Sequence, residues 1–479
     1  MKVKERIPHD EIVKIKLADL QMRENLDKAM HTLQRNRALV IKNKFSNWEG
    51  LRSQARLAKD KSLQSLHDRL LEFERNAQKN GMRVHWAETR EDACEIIHQI
   101  MLDKDARLLL KGKSMASEEI GLNEYLRQKG IKAVETDLGE LIIQLNSEDP
   151  VHIVAPAVHK NRFQVGEIFR DKLDVPLETE IEELNGIARL HLRDQFEGLK
   201  VGLSGVNFAI SKEGAVWLIE NEGNGRMCST APDVHIALCG IEKILETFED
   251  AATMVHLLTP SACGQFIPTY NNIITGPRKK DEKDGPREVH VILFNNHRTE
   301  MLASENYQTA LRCIRCGTCI NFCPVYMQIG GHAYQTVYPG PIGEAISPNL
   351  FGMDKTGDIL SFCSMCGRCS EVCPVKIPLH DIIRQLRSSA AGQDASVMDA
   401  DKADRSSTEA LAFKVFVKIA TSGRMWRLNL SAVHTFNWVL HTFGHRLPVI
   451  RLWSKYKDMP DMKESLHDNI KGLPGVKYE

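Results

Sequence analysis

Apolar positions along the chain divide it into a helical beginning and a long stretch of alternating elements. Over residues 1–80 apolar side chains recur at helical spacing among charged ones, as at Leu63, Leu66 and Leu70. Beyond residue 81 short apolar runs alternate with helical stretches, and we interpret as strands the runs at 82–86, 108–110, 133–135 and 152–154. Strands that alternate with helices predict an α/β domain with a mostly parallel, covered sheet.

Two further patterns belong to the same domain. The apolar runs at 206–210 and 215–219 are separated by a short polar turn, which predicts a hairpin. A charged loop at 276–288 precedes the apolar run at 289–294, and helical patterns follow it. Because this run has no strand to pair with in the helical region, we expect it to return to the first domain, which then ends near residue 298.

Composition narrows the class of protein. The chain has 479 residues, enough for two or three domains, and its 63 basic and 63 acidic residues balance. That balance gives no argument for a nucleic-acid partner. The charged start lacks the apolar stretch of a secretory signal, and no apolar run approaches the roughly 18 residues of a membrane span. We therefore predict a cytoplasmic protein.

Eight of the twelve cysteines form two copies of one spacing, C-x2-C-x2-C-x3-C followed by proline. The first run is Cys313, Cys316, Cys319 and Cys323, and the second is Cys363, Cys366, Cys369 and Cys373. In bacterial two-cluster ferredoxins this spacing binds [4Fe-4S] clusters, and the fourth cysteine of each run ligates the other cluster. We therefore predict two [4Fe-4S] clusters, one held by Cys313, Cys316, Cys319 and Cys373 and the other by Cys363, Cys366, Cys369 and Cys323.

Zinc is the main alternative, because paired C-x2-C knuckles bind it in four-cysteine sites. A third cysteine at the next step of three, and a proline after the fourth, both occur twice and favour iron–sulfur clusters. Disulfides fit this spacing less well than either metal. The spacing gives no ligand role to Cys94, Cys228, Cys239 or Cys263, which we expect to be small buried side chains.

Two loops after predicted strands are candidates for ligand binding. The first is formed by Gly223, Asn224, Gly225 and Arg226. Two glycines and an arginine after a strand can bind an anion through backbone N–H groups, although a structural turn is the alternative. The second loop, 111–114, lies at a strand-to-helix junction, where open α/β sheets bind ligands. Its alternative is purely local, with Ser117 capping the helix that follows.

The C-terminal part of the chain has a different pattern. Residues 389–408 are poor in large apolar side chains and are interpreted as a flexible connector. Between 410 and 456 there are seven Lys or Arg residues, no acidic ones and interleaved aromatic side chains, which predicts a basic helical region. We favour packing of this region on the protein itself. Peripheral contact with an anionic membrane surface and docking on an acidic partner are the alternatives.

Several motifs occur together in a known order. Segments at 135–140 (Glu-Thr-Asp-Leu-Gly-Glu), 156–160 (Pro-Ala-Val-His-Lys) and 220–226 (Glu-Asn-Glu-Gly-Asn-Gly-Arg) precede the two cysteine runs and a helical tail. Over nearly the whole chain this order resembles the lactate utilization protein B family. The resemblance implies a first domain similar in fold to sugar-phosphate isomerases and CoA transferases. It also implies lactate utilization proteins A and C as partners in the oxidation of L-lactate to pyruvate.

Pattern and resemblance together predict five segments. They are a helical region at 1–80 packed on the α/β domain, a lactate-utilization-type α/β domain at 81–298, an α-helical ferredoxin-type two-cluster module at 299–388, a connector at 389–408 and a helical basic and aromatic region at 409–479.

The function predicted for this arrangement is that of a non-catalytic electron-transfer subunit of an L-lactate-oxidising complex, which passes electrons to a quinone or cytochrome. No catalytic residue is predicted. No G-x-G-x-x-G follows a strand, so a flavin or another subunit must convert the two-electron oxidation into single-electron steps. One alternative is a self-contained oxidoreductase whose α/β domain binds a small organic acid. Another is a redox or iron sensor, which no DNA-binding motif supports.

Overall fold

The computed structural model describes residues 6–390 and 407–435. Residues 1–401 form one compact unit and residues 402–479 form another. The strands lie in the first unit and are β1 (Arg83–Ala87), β2 (Leu108–Lys111), β3 (Lys132–Glu135), β4 (Val201–Gly205), β5 (Phe208–Ile210), β6 (Ala215–Glu220), β7 (Val234–Gly240), β8 (Ile244–Leu245), β9 (Tyr270–Ile274) and β10 (Glu288–Phe294).

Helices make up most of the remainder. Those before the cysteine runs are α1 (His9–Ala18), α2 (Leu20–Lys44), α3 (Trp48–Gln64), α4 (Leu66–Lys79), α5 (Arg90–Asp103), α6 (Met115–Glu119), α7 (Leu122–Gln128), α8 (Leu138–Leu145), α9 (Arg162–Leu173), α10 (Ile181–Phe196), α11 (Asn224–Thr230), α12 (Phe248–Cys263) and α13 (Arg298–Ala303). Those that follow are α14 (Thr318–Asn321), α15 (Pro324–Ile329), α16 (Gly340–Phe351), α17 (Met353–Thr356), α18 (Arg368–Val372), α19 (Leu379–Ala390), α20 (Ser407–Ala420) and α21 (Gly423–Thr435). Short 3-10 helices occur at Ile241–Lys243, Gln308–Arg312, Gly331–Tyr334 and Gly357–Phe362.

The main sheet of the described chain contains six parallel strands in the order β1-β10-β7-β4-β2-β3. Val291 of β10 lies opposite Val84 of β1 on one side and Ala237 of β7 on the other. The prediction that the run at 289–294 returns to the first domain is therefore confirmed. β7 and β10 are apolar and buried along almost their whole length because helices cover both faces of the sheet, with α5 and α7 on one and α4 on the other.

A second, smaller sheet has the order β8-β5-β6-β9. Phe208 of β5 lies opposite Trp217 of β6 in an antiparallel pair, so the predicted hairpin is confirmed. The strand predicted at 152–154 is wrong. The ring nitrogen Nδ1 of His152 accepts hydrogen bonds of 3.0 Å from the N–H groups of Val154 and Ala155, and these groups are thereby withdrawn from strand pairing.

The N-terminal helices contact both halves of the first unit. Met22 and Leu26 of α2 belong to the same apolar core as the cysteine runs, whereas Phe73 of α4 packs beneath the main sheet. Arg52 of α3 donates a hydrogen bond of 2.7 Å to the backbone oxygen of Cys373. Residues 1–80 thus pack on the cysteine module as well as on the α/β domain. The five predicted segment boundaries stay a prediction.

The second unit is described only over α20 and α21. The predicted connector falls largely at 391–406, outside the described residues, as does the basic region beyond 435. Among the helices that the structure describes, none is long and apolar enough to cross a membrane.

Candidate metal centre and adjoining cavity

The two cysteine runs fold into loops of the same conformation. Arg315 and Met365 occupy equivalent positions and have positive φ angles of 60° and 58°, while Gly317 and Gly367 have φ angles of 73° and 76°. The N–H groups of Arg315 and Met365 each donate to the Sγ of the first cysteine of their run, at 3.4 Å. The repeat therefore extends from spacing to backbone geometry, with glycine where a left-handed conformation is needed.

The first group of four thiols surrounds a small cavity of about 20 Å³. Its cysteines are Cys313, Cys316, Cys319 and Cys373, and isoleucine, leucine and valine side chains form most of the remaining wall. The structure thus brings the fourth cysteine of the second run to the first three of the first run. Four sulfur donors around an apolar space fit a [4Fe-4S] cluster.

The second group of thiols is also drawn together. Burial, together with the charges of the nearby Cys363 and Cys366, raises the pKa of Cys369 to about 12. Burial likewise raises the pKa of Cys323 to about 12, with smaller effects that include the charge of Cys369. Cys323, from the first run, therefore lies close enough to Cys369 of the second run for their charges to interact. The ligand roles of all eight cysteines stay a prediction.

The two loops differ in what covers them. A Cβ atom added to Gly317 would lie 3.0 Å from Cε1 of His152 and 3.2 Å from Cγ2 of Val154, both in the α/β domain. At Gly367, among the residues that the structure describes, nothing lies within 4 Å of such an atom. The cysteines of the first group are buried, but Cys366 is exposed. One loop therefore faces the α/β domain and the other faces solvent.

A larger cavity, of about 280 Å³, lies where β2, β4, β7 and β10 end at the carboxyl edge of the main sheet. This edge is where open α/β sheets bind ligands. Both candidate loops contribute to its wall, through Gly112 to Ser114 and through Asn224 and Gly225. Arg315 of the first cysteine loop also lines it. The structure therefore brings the two candidate ligand loops to one cavity beside the first group of thiols.

Backbone donors of the glycine-containing loop are already engaged. The N–H groups of Gly225 and Arg226 donate to the carboxylate of Glu220 at 2.6 and 2.7 Å. An external anion would have to displace Glu220 to use them. Anion binding by Gly223, Asn224, Gly225 and Arg226 stays a prediction.

The loop at 111–114 divides into structural and cavity-facing residues. Lys111 is fully buried and donates hydrogen bonds of 2.6 Å to Glu135 and 2.7 Å to Asn123, so it is a structural residue. The interpretation of Ser117 as a helix cap is wrong. Ser114 caps α6, because its Oγ accepts the N–H of Ser117 at 3.1 Å.

A buried charge network at one end of the cavity was not predicted from the sequence. Arg298, 2% exposed, donates two hydrogen bonds of 2.8 Å to Glu119 and also pairs with Glu242. Tyr338 donates a hydrogen bond of 2.6 Å to Glu119. Burial raises the pKa of Glu242, but Arg298 and Arg315 outweigh it and bring the pKa to about 2. In the sequence, this network was indicated only by charged residues that lie next to apolar runs.

The four remaining cysteines follow the prediction with one difference. Cys94, Cys228 and Cys239 are buried, whereas Cys263 is partly exposed and lines the larger cavity.

Comparison with known proteins agrees with this arrangement. Residues 70–294 match the LUD domain family, residues 309–377 match the 4Fe-4S dicluster domain, and residues 385–472 match the family described as lactate utilisation protein B, C-terminal. The chain is thus an iron–sulfur protein that joins an α/β LUD domain to a 4Fe-4S dicluster domain.

Similarity to whole proteins is more specific. The chain is 37% identical over 454 residues to the electron transport protein YkgF of Escherichia coli, covering 94% of this chain and 93% of that one. It is 41% identical to lactate utilization protein B of Macrococcus caseolyticus (78% of each chain) and 40% identical to that of Bacillus subtilis (82% and 81%). The chain belongs to the lactate utilization protein B family, and the resemblance inferred from the motifs is confirmed.

Proposed function

We propose that this chain is the iron–sulfur electron-transfer subunit of a cytoplasmic complex that oxidises L-lactate to pyruvate, with lactate utilization proteins A and C as its partners. Family membership and the dicluster domain support an electron-transfer role in lactate utilization. The observation that carries the proposal is the pair of converging thiol groups, one against the α/β domain and one reaching the surface through Cys366.

Each thiol group would hold one [4Fe-4S] cluster, with Cys373 and Cys323 exchanged between the runs. When bound, such clusters accept and release electrons one at a time. The chain's own residues set the environment of the sulfurs. The N–H groups of Arg315 and Met365 donate to thiols, and hydrogen bonds of this kind help to tune reduction potential.

The exposed loop is the face that we assign to exchange with another redox component. Cys366 is exposed, and Gly367 beside it has open space around its Cα. A partner subunit, or an acceptor such as a quinone or cytochrome, can therefore approach this thiol group directly. For the basic region at 410–456, packing on the protein itself stays the favoured prediction, with peripheral contact with the membrane as the alternative.

The test is a reconstitution under anaerobic conditions, in which cluster reduction by L-lactate is followed by EPR. We expect reduction when proteins A and C are present and none with this chain alone. Proteins A and C without this chain serve as the control for signals that do not belong to it. Failure of reduction with all three proteins, or zinc in place of iron and sulfide, would overturn the proposal.

A second candidate function is a self-contained oxidoreductase. It is favoured by one observation, the position of the larger cavity directly beside the Cys313 loop. Turnover of L-lactate by the isolated chain with an artificial electron acceptor would establish this function instead.

A further inference from the structure

Two histidines and a glutamate meet where the α/β domain contacts the cysteine module. Glu148 follows α8 and His159 precedes α9, whereas His332 lies in the 3-10 helix Gly331–Tyr334, between the two cysteine runs. One potential ligand atom of each residue lies within 4.8 Å of those of the other two. The rings of His159 and His332 meet edge to face, with centroids 5.1 Å apart. The three residues are absent from the walls of both cavities described above, so they form a separate cluster.

A hydrogen bond fixes which ring nitrogen of His332 carries a proton. Its Nε2 lies 2.8 Å from the backbone oxygen of Asp149, and a carbonyl oxygen only accepts, so Nε2 donates. Burial lowers the pKa of His332 and outweighs this hydrogen bond, which favours the neutral ring. Nδ1 is then unprotonated. Histidines that bind metals have this arrangement, in which the second ring nitrogen donates to a carbonyl or carboxylate oxygen.

Glu148 supplies an ionised carboxylate with one oxygen beside His159. Burial raises the pKa of Glu148, but hydrogen bonds from His159 and Lys160 outweigh it and bring the pKa to about 2. Oε1 accepts hydrogen bonds from Lys160 at 2.7 Å and from Asn146 at 2.5 Å. Oε2 lies 2.7 Å from Nε2 of His159. The carboxylate therefore has one oxygen held by neighbours and the other in contact with an imidazole.

His159 makes a single side-chain hydrogen bond. Its Nδ1 is buried and has no hydrogen-bond partner among the residues that the structure describes. The contact of its Nε2 with Glu148 is thus its one polar side-chain contact within that part of the chain. An ion bound between Oε2 of Glu148 and Nε2 of His159 would replace one proton and break no other hydrogen bond of this ring.

The backbone around the cluster is held in place. The N–H of Glu148 donates to the backbone oxygen of Ile143 at 2.9 Å, and the backbone oxygen of His159 accepts from Asn25 of α2 at 2.8 Å. In a tetrahedral zinc site the bonds are about 2.0–2.2 Å, which sets the ligand atoms roughly 3.3 Å apart. Because the backbone is fixed, the adjustment from the present distances falls to the side chains.

Two lysines limit how strongly this cluster can hold a cation. Lys160 pairs with Glu148, and the charge of Lys16 acts on His332. One carboxylate cannot neutralise a divalent ion and these lysines together. We therefore expect reversible binding that is weaker than at a closed structural zinc site with four protein ligands.

We propose that Glu148, His159 and His332 form a binding site for one divalent transition-metal ion of the zinc class, with solvent as the fourth ligand. Two imidazoles and a carboxylate are a ligand set that zinc uses in proteins. His332 belongs to the insert between the cysteine runs, and the other two ligands belong to the α/β domain. A bound ion therefore joins these two regions of the chain. The site is independent of the clusters and of the proposed electron-transfer function.

The experiment is anaerobic equilibrium dialysis of the complete, iron-loaded chain against micromolar Zn²⁺, with zinc, iron and sulfide measured in each sample. We expect about one zinc ion per chain in addition to the iron. His332→Ala and Glu148→Gln should each weaken zinc binding by at least about 10-fold, because one of three protein ligands is lost. His31→Ala is the matched control. It removes an exposed histidine that is paired with Asp27, and it should bind zinc as the wild type does.

Zinc K-edge absorption spectroscopy separates this site from the cysteines. We expect nitrogen and oxygen neighbours at about 2.0–2.2 Å, whereas zinc bound to thiolates has sulfur at about 2.3 Å. Zinc should also raise the midpoint of urea unfolding of the wild type but not of His332→Ala, because the ion binds only where the folded chain assembles the three ligands.

Three outcomes would overturn the proposal: no zinc bound by the wild type, sulfur neighbours around the zinc, or equal affinity of the wild type and the ligand variants. If His332→Ala loses iron or unfolds, it is replaced by His332→Asn, whose amide can still donate to the backbone of Asp149, and the same criterion applies. Absence of zinc from a wild type with complete iron and sulfide would remove this site and leave the electron-transfer function unaffected.

Discussion

Nη2 of Arg315, in the first cysteine loop, lies 3.3 Å from Oε1 of Glu242, at the end of the main sheet. The same guanidinium stacks over the ring of Tyr338 at 4.8 Å. Glu242 also pairs with the buried Arg298. The first cysteine loop is therefore fixed to the α/β domain by charge as well as by apolar packing.

Loss of the central cation of this network should be strongly destabilising. In Arg298→Met the buried carboxylates of Glu119 and Glu242 lose their shared partner, and we expect a loss of about 3–5 kcal/mol in the free energy of unfolding. Arg127→Met removes an exposed arginine paired with Glu124 and should change stability little. Anaerobic urea unfolding measures both. Similar effects of the two substitutions would contradict the assigned role of the network.

The two equivalent glycines provide a matched pair. Gly317→Ala and Gly367→Ala introduce the same strain, because φ is 73° and 76°. Only the first also brings a methyl group against His152, at 3.0 Å. We expect Gly317→Ala to destabilise the protein by roughly 1–3 kcal/mol more than Gly367→Ala, as overpacking of a core does. Equal midpoints of urea unfolding would show that the first loop is not packed against the α/β domain.

Removal of one proposed ligand should affect one cluster. Cys366→Ala is expected to reduce iron from about eight to about four atoms per chain, because a cluster needs its thiolates. Cys94→Ala removes a buried cysteine to which no ligand role is assigned, and its iron content should equal that of the wild type. Anaerobic iron and sulfide analysis makes the comparison. Full iron content in Cys366→Ala would disprove the ligand assignment.

Stability should fall in mild acid through a buried histidine. His235 in β7 is fully buried and bonded to Ser204 at 2.8 Å, and burial lowers its pKa to about 3. An unfolded histidine titrates near about 6.5. The contribution of this residue is therefore complete above about pH 6.5 and declines as pH falls from there towards the folded pKa of about 3, because only the unfolded chain takes up the proton.

The variant that tests this linkage is His235→Asn. Between about pH 7.5 and pH 5.5 the free energy of unfolding of the wild type should fall by roughly 1 kcal/mol more than that of the variant. The difference arises because His235 takes up one proton when the wild-type chain unfolds at the lower pH. Urea unfolding at the two pH values gives both differences. The prediction fails if the two proteins lose the same amount.

Elements set by local pattern were predictable, and contacts between distant segments were not. Apolar runs identified four of the six strands of the main sheet, β1, β2, β3 and β10, but not β4 or β7. Cysteine spacing identified both runs of thiols. The exception at His152 arose because a side chain captured backbone N–H groups that the apolar pattern assigned to a strand. The cavity combines Lys243, Arg298 and Arg315 from separate elements. No spacing rule relates such residues, so their meeting follows from the tertiary fold.

Gly317 and Gly367 are covered unequally, so the two halves of the duplicated cysteine motif have different surroundings. Both halves have the same cysteine spacing and nearly the same backbone angles, yet one is enclosed and the other is open. A redox partner that docks on the outside would meet the open half first, whereas the enclosed half lies against the α/β domain. Burial thus makes two halves of identical spacing unequal in their access to other molecules.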